Sequence, residues 1–300
     1  MARIAFLAAL TVPPAWLQTV DALPQPSRLR GPAATRQLQS AGVADLLSGH
    51  SATLYADHSS SPSAAAQLRY SLYQQENSAN DNVVKLATFD GAAGTTHTWR
   101  DMNDPVMGGR SHSTFDVTPS GTGSFEGTCA VVPFLHAPGF AKIETQTAYS
   151  SGRMLTPFPD VSQFFHGALY LRLKSSTTAY SGFKVAFGAT GAHRPTPSRH
   201  GGASFKADFA LASTTEWQTV KVPFSDFSID WSEYTGECST RDPTGQQHYC
   251  CTPEHPEVCV TMQHLKAVSG LELWAEGVAG DFALEVDWIG AGPLDATTAH

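Results

Sequence analysis

An antiparallel β-sandwich is the fold this 300-residue chain predicts, and three observations carry that expectation. Charged residues make up only 15% of the chain and hydrophobic residues 41%, with Gly, Ser, Thr, Pro and aromatics plentiful. That balance favours turn-rich β-structure over helical bundles. From Val83 onward apolar residues recur with period two, in short runs separated by Gly, Pro, Ser and Asn. No stretch of the body carries a long helical stripe. Two sheets that each bury one face against the other account for such alternation.

The first 82 residues lie outside this pattern. Met1-Ala2-Arg3 followed by I-A-F-L-A-A-L-T-V reads as a positive start and an apolar core, so 1–22 is signal-peptide-like, with small residues near Ala22. Broken by Pro13-Pro14, the run is too short to span a bilayer as a helix. Residues 23–44 are Arg-rich, hydroxyl-bearing and free of acids, the composition of a transit segment. Together they are read as a bipartite leader for plastid import, with secretion and a mitochondrial presequence as alternatives. This leader is expected to be disordered. Residues 45–82, with S-S-S-P-S-A-A-A at 59–66, read as a low-complexity linker holding one short helix around 65–75.

Within the body (83–292), V-V-K-L-A-T-F is the first strand, and 124–132 and 139–147 are expected to pair as a hairpin. Leu169, Leu171 and Leu173 share one face, opposite Tyr170, Arg172 and Lys174. The same alternation places Phe183, Val185 and Phe187 inward, then Phe205, Ala207, Phe209 and Leu211, then Val220, Val222 and Phe224. Leu271 and Leu273 follow, and the last strand offers Phe282, Leu284, Val286 and Trp288. The total is about nine or ten short strands, the number a sandwich requires.

One segment is irregular and crowded. Residues 99–111, W-R-D-M-N-D-P-V-M-G-G-R-S, combine an aromatic anchor, an Asn-Asp-Pro turn signal and a Gly pair. Asp104 before Pro105 is biased out of the helical region, and Gly108-Gly109 tolerates close backbone approach. The run W-x-x-x-N-D-P-V-M-G-G-x-S resembles the signature of the complex I intermediate-associated protein 30 family. S-F-E-G-T at 124–128, W-Q-T-V-K-V-P-F at 217–224 and G-D-F-A-L-E-V-D-W-I at 280–289 agree with later strands of that family. The resemblance spans roughly 85–292. It implies a jelly-roll sandwich of the galactose-binding-like class and a non-enzymatic role in assembling a membrane complex, respiratory or photosynthetic. The contact residues it implies are Trp99, Asn103, Asp104, Met107, Gly108, Gly109 and Ser111. Where the family has a Gly-rich segment followed by Arg, this chain carries Glu144, and 232–263 form a Cys-rich insertion.

The insertion holds Cys238, Cys250, Cys251 and Cys259, while Cys129 stands apart in a strand as a small buried hydrophobe. Two disulfides fit these four best, in any of three connectivities. Paired C-x-x-C spacing is absent, so no metal is assigned, and no cofactor is expected. No G-x-S-x-G, H-E-x-x-H or phosphate-loop motif occurs, and the chain is not read as an enzyme. The net charge is −8, and four of 19 basic and one of 27 acidic residues fall in 1–44, leaving 15 against 26. No basic stripe is left for phosphates, which argues against nucleic acid. The expected partners are protein subunits of an assembly intermediate. The alternative is a carbohydrate-binding module, with Trp231, Tyr234 and Trp274 facing outward.

Overall fold

In a computed structural model of the chain, the residues described are 82–104, 109–133, 136–146, 156–195 and 203–294. The leader, the transit-like segment and all but the last residue of the linker, with its expected helix, fall outside them, as do Met107 and Gly108.

Thirteen strands are described. They are β1 (Val84–Thr88), β2 (Trp99–Asn103), β3 (His112–Val117), β4 (Gly123–Cys129), β5 (Val131–Val132), β6 (Ala137–Pro138) and β7 (Phe140–Thr145). After them come β8 (Ala168–Ser175), β9 (Phe183–Ala189), β10 (Ser204–Asp208), β11 (Gln218–Pro223), β12 (Val268–Glu276) and β13 (Gly280–Gly292). A single short α-helix, α1 (Met262–Lys266), is described beside three 3-10 turns; Thr261 caps it by accepting from the His264 backbone while His264 returns to the Thr261 N–H. That reciprocal pair satisfies two otherwise orphaned donors.

The strands form an antiparallel jelly-roll sandwich. One sheet runs β11-β8-β13-β4-β3, with β1 also paired to β13, and the other runs β10-β9-β12-β7-β2. Phe125, Leu169, Leu171, Leu173, Phe282 and Leu284 of the first sheet meet Ile143, Phe183, Val185, Phe187, Phe205, Leu271 and Leu273 of the second. All are 2% exposed or less, so the alternation seen in the sequence is the inward face of each sheet. Each such side chain stabilises the fold by roughly 1.5–3 kcal/mol.

Three expectations need correcting. First, 124–132 and 139–147 do not form a hairpin: β4 pairs with β13 and β3, whereas β7 pairs with β12 and β2. Both strands alternate apolar residues that need a facing layer. The connection between them carries Pro133, Pro138 and a left-handed His136 (φ 53°), and it crosses from one sheet to the other through the small β5–β6 ribbon. Second, Trp288 does not enter the core. The register against β8 shifts between Val286 and Trp288, so Asp287 is an extra residue. The bulge turns Trp288 onto the outer face beside Tyr170 and Ala168, and Ile289 takes the inward position. Third, β10 stops at Asp208, so Phe209 and Leu211 pack against the core from a loop.

The segment just before the Cys-rich insertion covers the β10 edge, and the insertion backs that segment in turn. Lys206 and Ser228 exchange backbone hydrogen bonds at 2.9 and 3.1 Å, and the Ile229 N–H donates to Val258 at 3.0 Å. An open strand edge is thereby paired within the chain.

Candidate functional site

The residues singled out in 99–111 tie the sandwich together. Trp99 is 8% exposed and packs against Phe89 and Phe115, with ring centroids 5.6 and 6.0 Å away. Asn103 Oδ1 accepts from Ser113 Oγ at 2.7 Å, and the Asp104 N–H donates to the Phe140 carbonyl at 3.1 Å. Ser111 Oγ accepts from the Ala130 N–H at 3.0 Å. Asp104 is buried between two glycines. A Cβ on Gly109 would lie 2.5 Å from the Asp104 carboxyl carbon, and one on Gly139 would collide with its Oδ2. Close approach, rather than left-handed φ, requires these two glycines. The described part of the motif thus joins β2, β3 and the β4–β7 crossover from inside.

A cleft of about 460 Å³ lies elsewhere, on the outer face of the second sheet. The pleat sets it out in rows. One row carries Lys206, Ala186, Glu272, Glu144 and Arg100 across β10, β9, β12, β7 and β2. The next carries Asp208, Lys184, Trp274, Lys142 and Met102. On the other side of the first row, Ser204, Gly188 and Gly270 stand in register, and there the sheet carries only small side chains, Ser204 and the bulged Ser269 among them. That patch, with Ala189, Ala192 and Ala203, is the floor of the cleft.

Ion pairs and aromatic rings make the walls. Arg100 donates to Glu144 through Nε at 2.7 Å and through Nη2, and Lys142 reaches Glu144 at 2.6 Å and Glu272 at 3.2 Å. Burial pushes the Lys142 ammonium down, but Glu272 and Glu144 outweigh it and hold it above the usual lysine value. Burial likewise raises Glu144, and Lys142 and Arg100 more than reverse that. Deeper, Lys206 Nζ sits 3.6 and 3.5 Å from the ring centroids of Trp231 and Trp274 and 2.7 Å from Glu276 Oε2. Its side chain is 1% exposed, and burial drives its pKa below the ordinary lysine value against the pull of Glu276. Arg194 lies 4.4 Å from the Trp231 centroid.

Trp231 and Trp274 are therefore not open platforms. Trp274 faces outward from β12, as its parity requires, and Trp231 packs on it from the chain after β11, yet Trp231 and Trp274 are only 8% and 6% exposed, because Phe140, each other and resident cations cover them. Tyr234 is half-buried. The Lys142–Lys206–Glu272–Glu276 network was not singled out from the sequence. Its signal was there in the outward positions of β7, β10 and β12, where Lys, Glu and Trp alternate.

In the insertion, Cys238 pairs with Cys250 and Cys251 with Cys259, while Cys129 is free and buried. His248, near the cysteines in sequence, is buried between Asp230 Oδ1 at 2.7 Å and Asp242 Oδ2 at 3.0 Å, a pairing that the sequence alone did not reveal. Asp230 also accepts from the Tyr249 N–H, so this constellation cross-links the insertion to the strand edge. Among the described residues, no group of three or more His, Cys, Asp or Glu is placed to hold a metal ion, and no helix is long and apolar enough to cross a membrane.

Comparison with known families decides the lineage: the model of Complex I intermediate-associated protein 30 (CIA30) matches residues 87–239. The chain belongs to the CIA30 family. The CIA30 match runs from the end of β1 into the insertion just past Cys238, so β12 and β13 lie beyond it. No curated protein matches the sequence. Among solved structures, the family 11 carbohydrate-binding module of the cellulosomal cellulase Lic26A-Cel5E of Clostridium thermocellum is 13% identical, with a TM-score of 0.38 over 72% of this chain and 97% of that one. A family 30 carbohydrate-binding module is 16% identical, at 0.32 over 72% and 89%. An exo-beta-agarase is 12% identical, at 0.35, and there this chain covers 73% of its own length but only 26% of the enzyme.

Proposed function

We propose that the chain is a non-catalytic assembly or scaffolding factor for an organellar membrane protein complex of the respiratory complex I or photosynthetic type. The observation that carries this reading is membership of the CIA30 family across 87–239. Supporting it, the charged side chains of the described cleft are engaged with one another, an arrangement that holds shape rather than one poised to transfer protons. In this proposal the residues Trp99, Asn103, Asp104, Gly109 and Ser111 act from within. They fix both ends of the segment that includes Met107 and Gly108, and this end of the sandwich meets the partner subunits. Residues 1–44 deliver the chain to the organelle, with the plastid favoured. The test is native co-purification from organelles with the full-length tagged chain, beside a strain lacking it. Recovery of membrane-complex subunits, with loss of the assembled complex in the deletion strain, is the expected result. A tagged chain found only outside the cell, or a deletion that leaves every organellar complex at full abundance, overturns the reading.

A further inference from the structure

The cleft on the second sheet has a chemistry that the assembly role does not use. Its floor is backbone at Gly188 and Gly270 edged by two small hydroxyl side chains, with Ser269 Oγ 3.1 Å from where a Cβ on Gly188 would lie and Thr145 Oγ1 3.4 Å from one on Gly270, so a flat ring lying there meets hydroxyls instead of bulky side chains. Its volume of about 460 Å³ falls in the range of small-molecule sites, roughly 300–1,000 Å³.

The walls select among ligand classes. Arg100 and Lys142 line the cleft with Glu144, Glu233, Glu272 and Glu276, and Arg194 and Lys206 stand behind to pair with Glu233 and Glu276. Positive and negative charges are then equal, so an ionic ligand meets repulsion as often as attraction. An incoming cation finds the Trp faces already taken by Lys142, Lys206 and Arg194. A wholly apolar ligand would strip water from these charges without replacing it, at a cost of several kcal/mol. A neutral ligand with many hydroxyls meets none of these penalties. Hydrogen-bonding capacity is open to it: both described donors to Glu272, Lys142 and Trp274, go to Oε2, leaving Oε1 as an acceptor. Arg100 commits Nε and Nη2 to Glu144, leaving Nη1 as a donor on a side chain 44% exposed. These two groups stand two strands apart, roughly 10 Å, and so engage hydroxyls at different places on an extended ligand. Charge-assisted hydrogen bonds of this kind are the stronger ones.

We infer that this cleft is a binding site for a neutral carbohydrate chain, with the Gly188–Gly270 floor receiving a sugar ring and Arg100 and Glu272 reading its hydroxyls. Binding here is separate from the assembly role and does not depend on it.

The test uses the purified full chain and isothermal titration with neutral β-1,4-linked tetrasaccharides of gluco-, manno-, xylo- and galacto-configuration. A uronic tetrasaccharide and a glucosamine tetrasaccharide are the charged comparisons. At least one neutral probe is expected to bind more tightly than both charged ones. Gly270→Leu fills the floor. A Cβ there meets only Thr145 Oγ1, at 3.4 Å, so the melting profile is retained. Affinity is expected to fall about tenfold or more. Arg100→Ala, at an exposed position, is the second variant and weakens binding in the same direction without filling the cleft. Failure of every neutral probe to bind at millimolar concentration overturns the inference, as does equal affinity in Gly270→Leu and the unaltered chain. In cells Gly270→Leu is expected to keep its co-purifying organellar subunits. If it sheds them and no tetrasaccharide binds, the cleft is a protein-docking surface; the assembly reading then stands and the carbohydrate inference falls.

Discussion

Replacing Lys206 by Met tests whether the outer face of the second sheet behaves as an interior. Lys206 is 1% exposed in its side chain and Glu276 5%, and their 2.7 Å contact lies between two indole rings. Removing one partner of such a pair leaves an uncompensated buried charge and costs about 3–5 kcal/mol. A surface pair would cost about 1 kcal/mol or less. For a domain of this size each kcal/mol moves Tm by about 2–4 °C, so Lys206→Met is expected to lower Tm by roughly 6–20 °C. The double variant Lys206→Met, Glu276→Met removes both charges and keeps volume for the Trp rings to pack on. It is expected to return to within about 2 kcal/mol of the unaltered chain, because replacing a whole buried pair by apolar groups is often neutral. Urea denaturation followed by Trp fluorescence and far-UV circular dichroism measures all three. A single variant costing under about 1 kcal/mol would refute the reasoning, since it would mean water reaches Glu276. A double variant no better than the single would also refute it, by placing the loss in packing instead of charge.

Four further outcomes are expected. Burial lowers the Lys85 pKa to about 8 from 10.5, beneath Trp288 and beside Asp287 and Arg172. Between those values the unfolded chain binds more protons, so stability rises with pH relative to Lys85→Met; solvent screening of a half-exposed group holds the gain to about 1 kcal/mol. Chemical denaturation of both proteins from pH 7 to 10.5 reads the difference, and parallel curves would sink it. Thiol titration without reductant is expected to find no reactive cysteine in the native chain and one, Cys129, after unfolding, against five with reductant. The double variant Cys238→Ser, Cys250→Ser is expected to cost about 2–4 kcal/mol in a melt; native thiols at the insertion would show the pairs are not formed. Gly139→Ala, forced against Asp104, is expected to cost about 1–3 kcal/mol. Asp104→Ala in the same chain should recover part of that loss, and strict additivity of the two would show that they do not touch.

The strands were legible because one face of each carries a clean apolar row. In β8 and β9, Leu169, Leu171, Leu173, Phe183, Val185 and Phe187 fall on the core side as the alternation requires. Period two reports which residues share a face; it is silent on which sheet a strand joins. That is why β4 and β7 read as a hairpin when they belong to opposite layers. Nor does it announce an inserted residue. Asp287 is an ordinary member of G-D-F-A-L-E-V-D-W-I, and only pairing with β8 shows that it turns Trp288 outward. The signature was legible as a marker of family and fold. What its described residues do was not, because the groups they lock onto, Phe140, Ala130 and Gly139, lie downstream across a sheet change.

The same limit explains the cleft, and gives the second sheet its particular character. Parity alone sends Trp274, Lys206 and Glu276 to the outside of the sandwich, where water is the default neighbour. Three contacts, two from 231–236 and one from β7, cancel that default. The chain at Trp231 folds back over Lys206, the insertion places Gly236 against the Glu276 carboxylate, and Phe140 closes on Trp274 from β7. The sheet therefore has buried side chains on both faces, apolar within and ionic-aromatic without. A face built of paired charges is rigid only while every pair is complete. Among the described residues, this outer layer is thinnest at the Ser204–Gly188–Gly270 row. An outer layer fastened by ion pairs beside that strip makes a recess whose described walls are already held in place before anything enters.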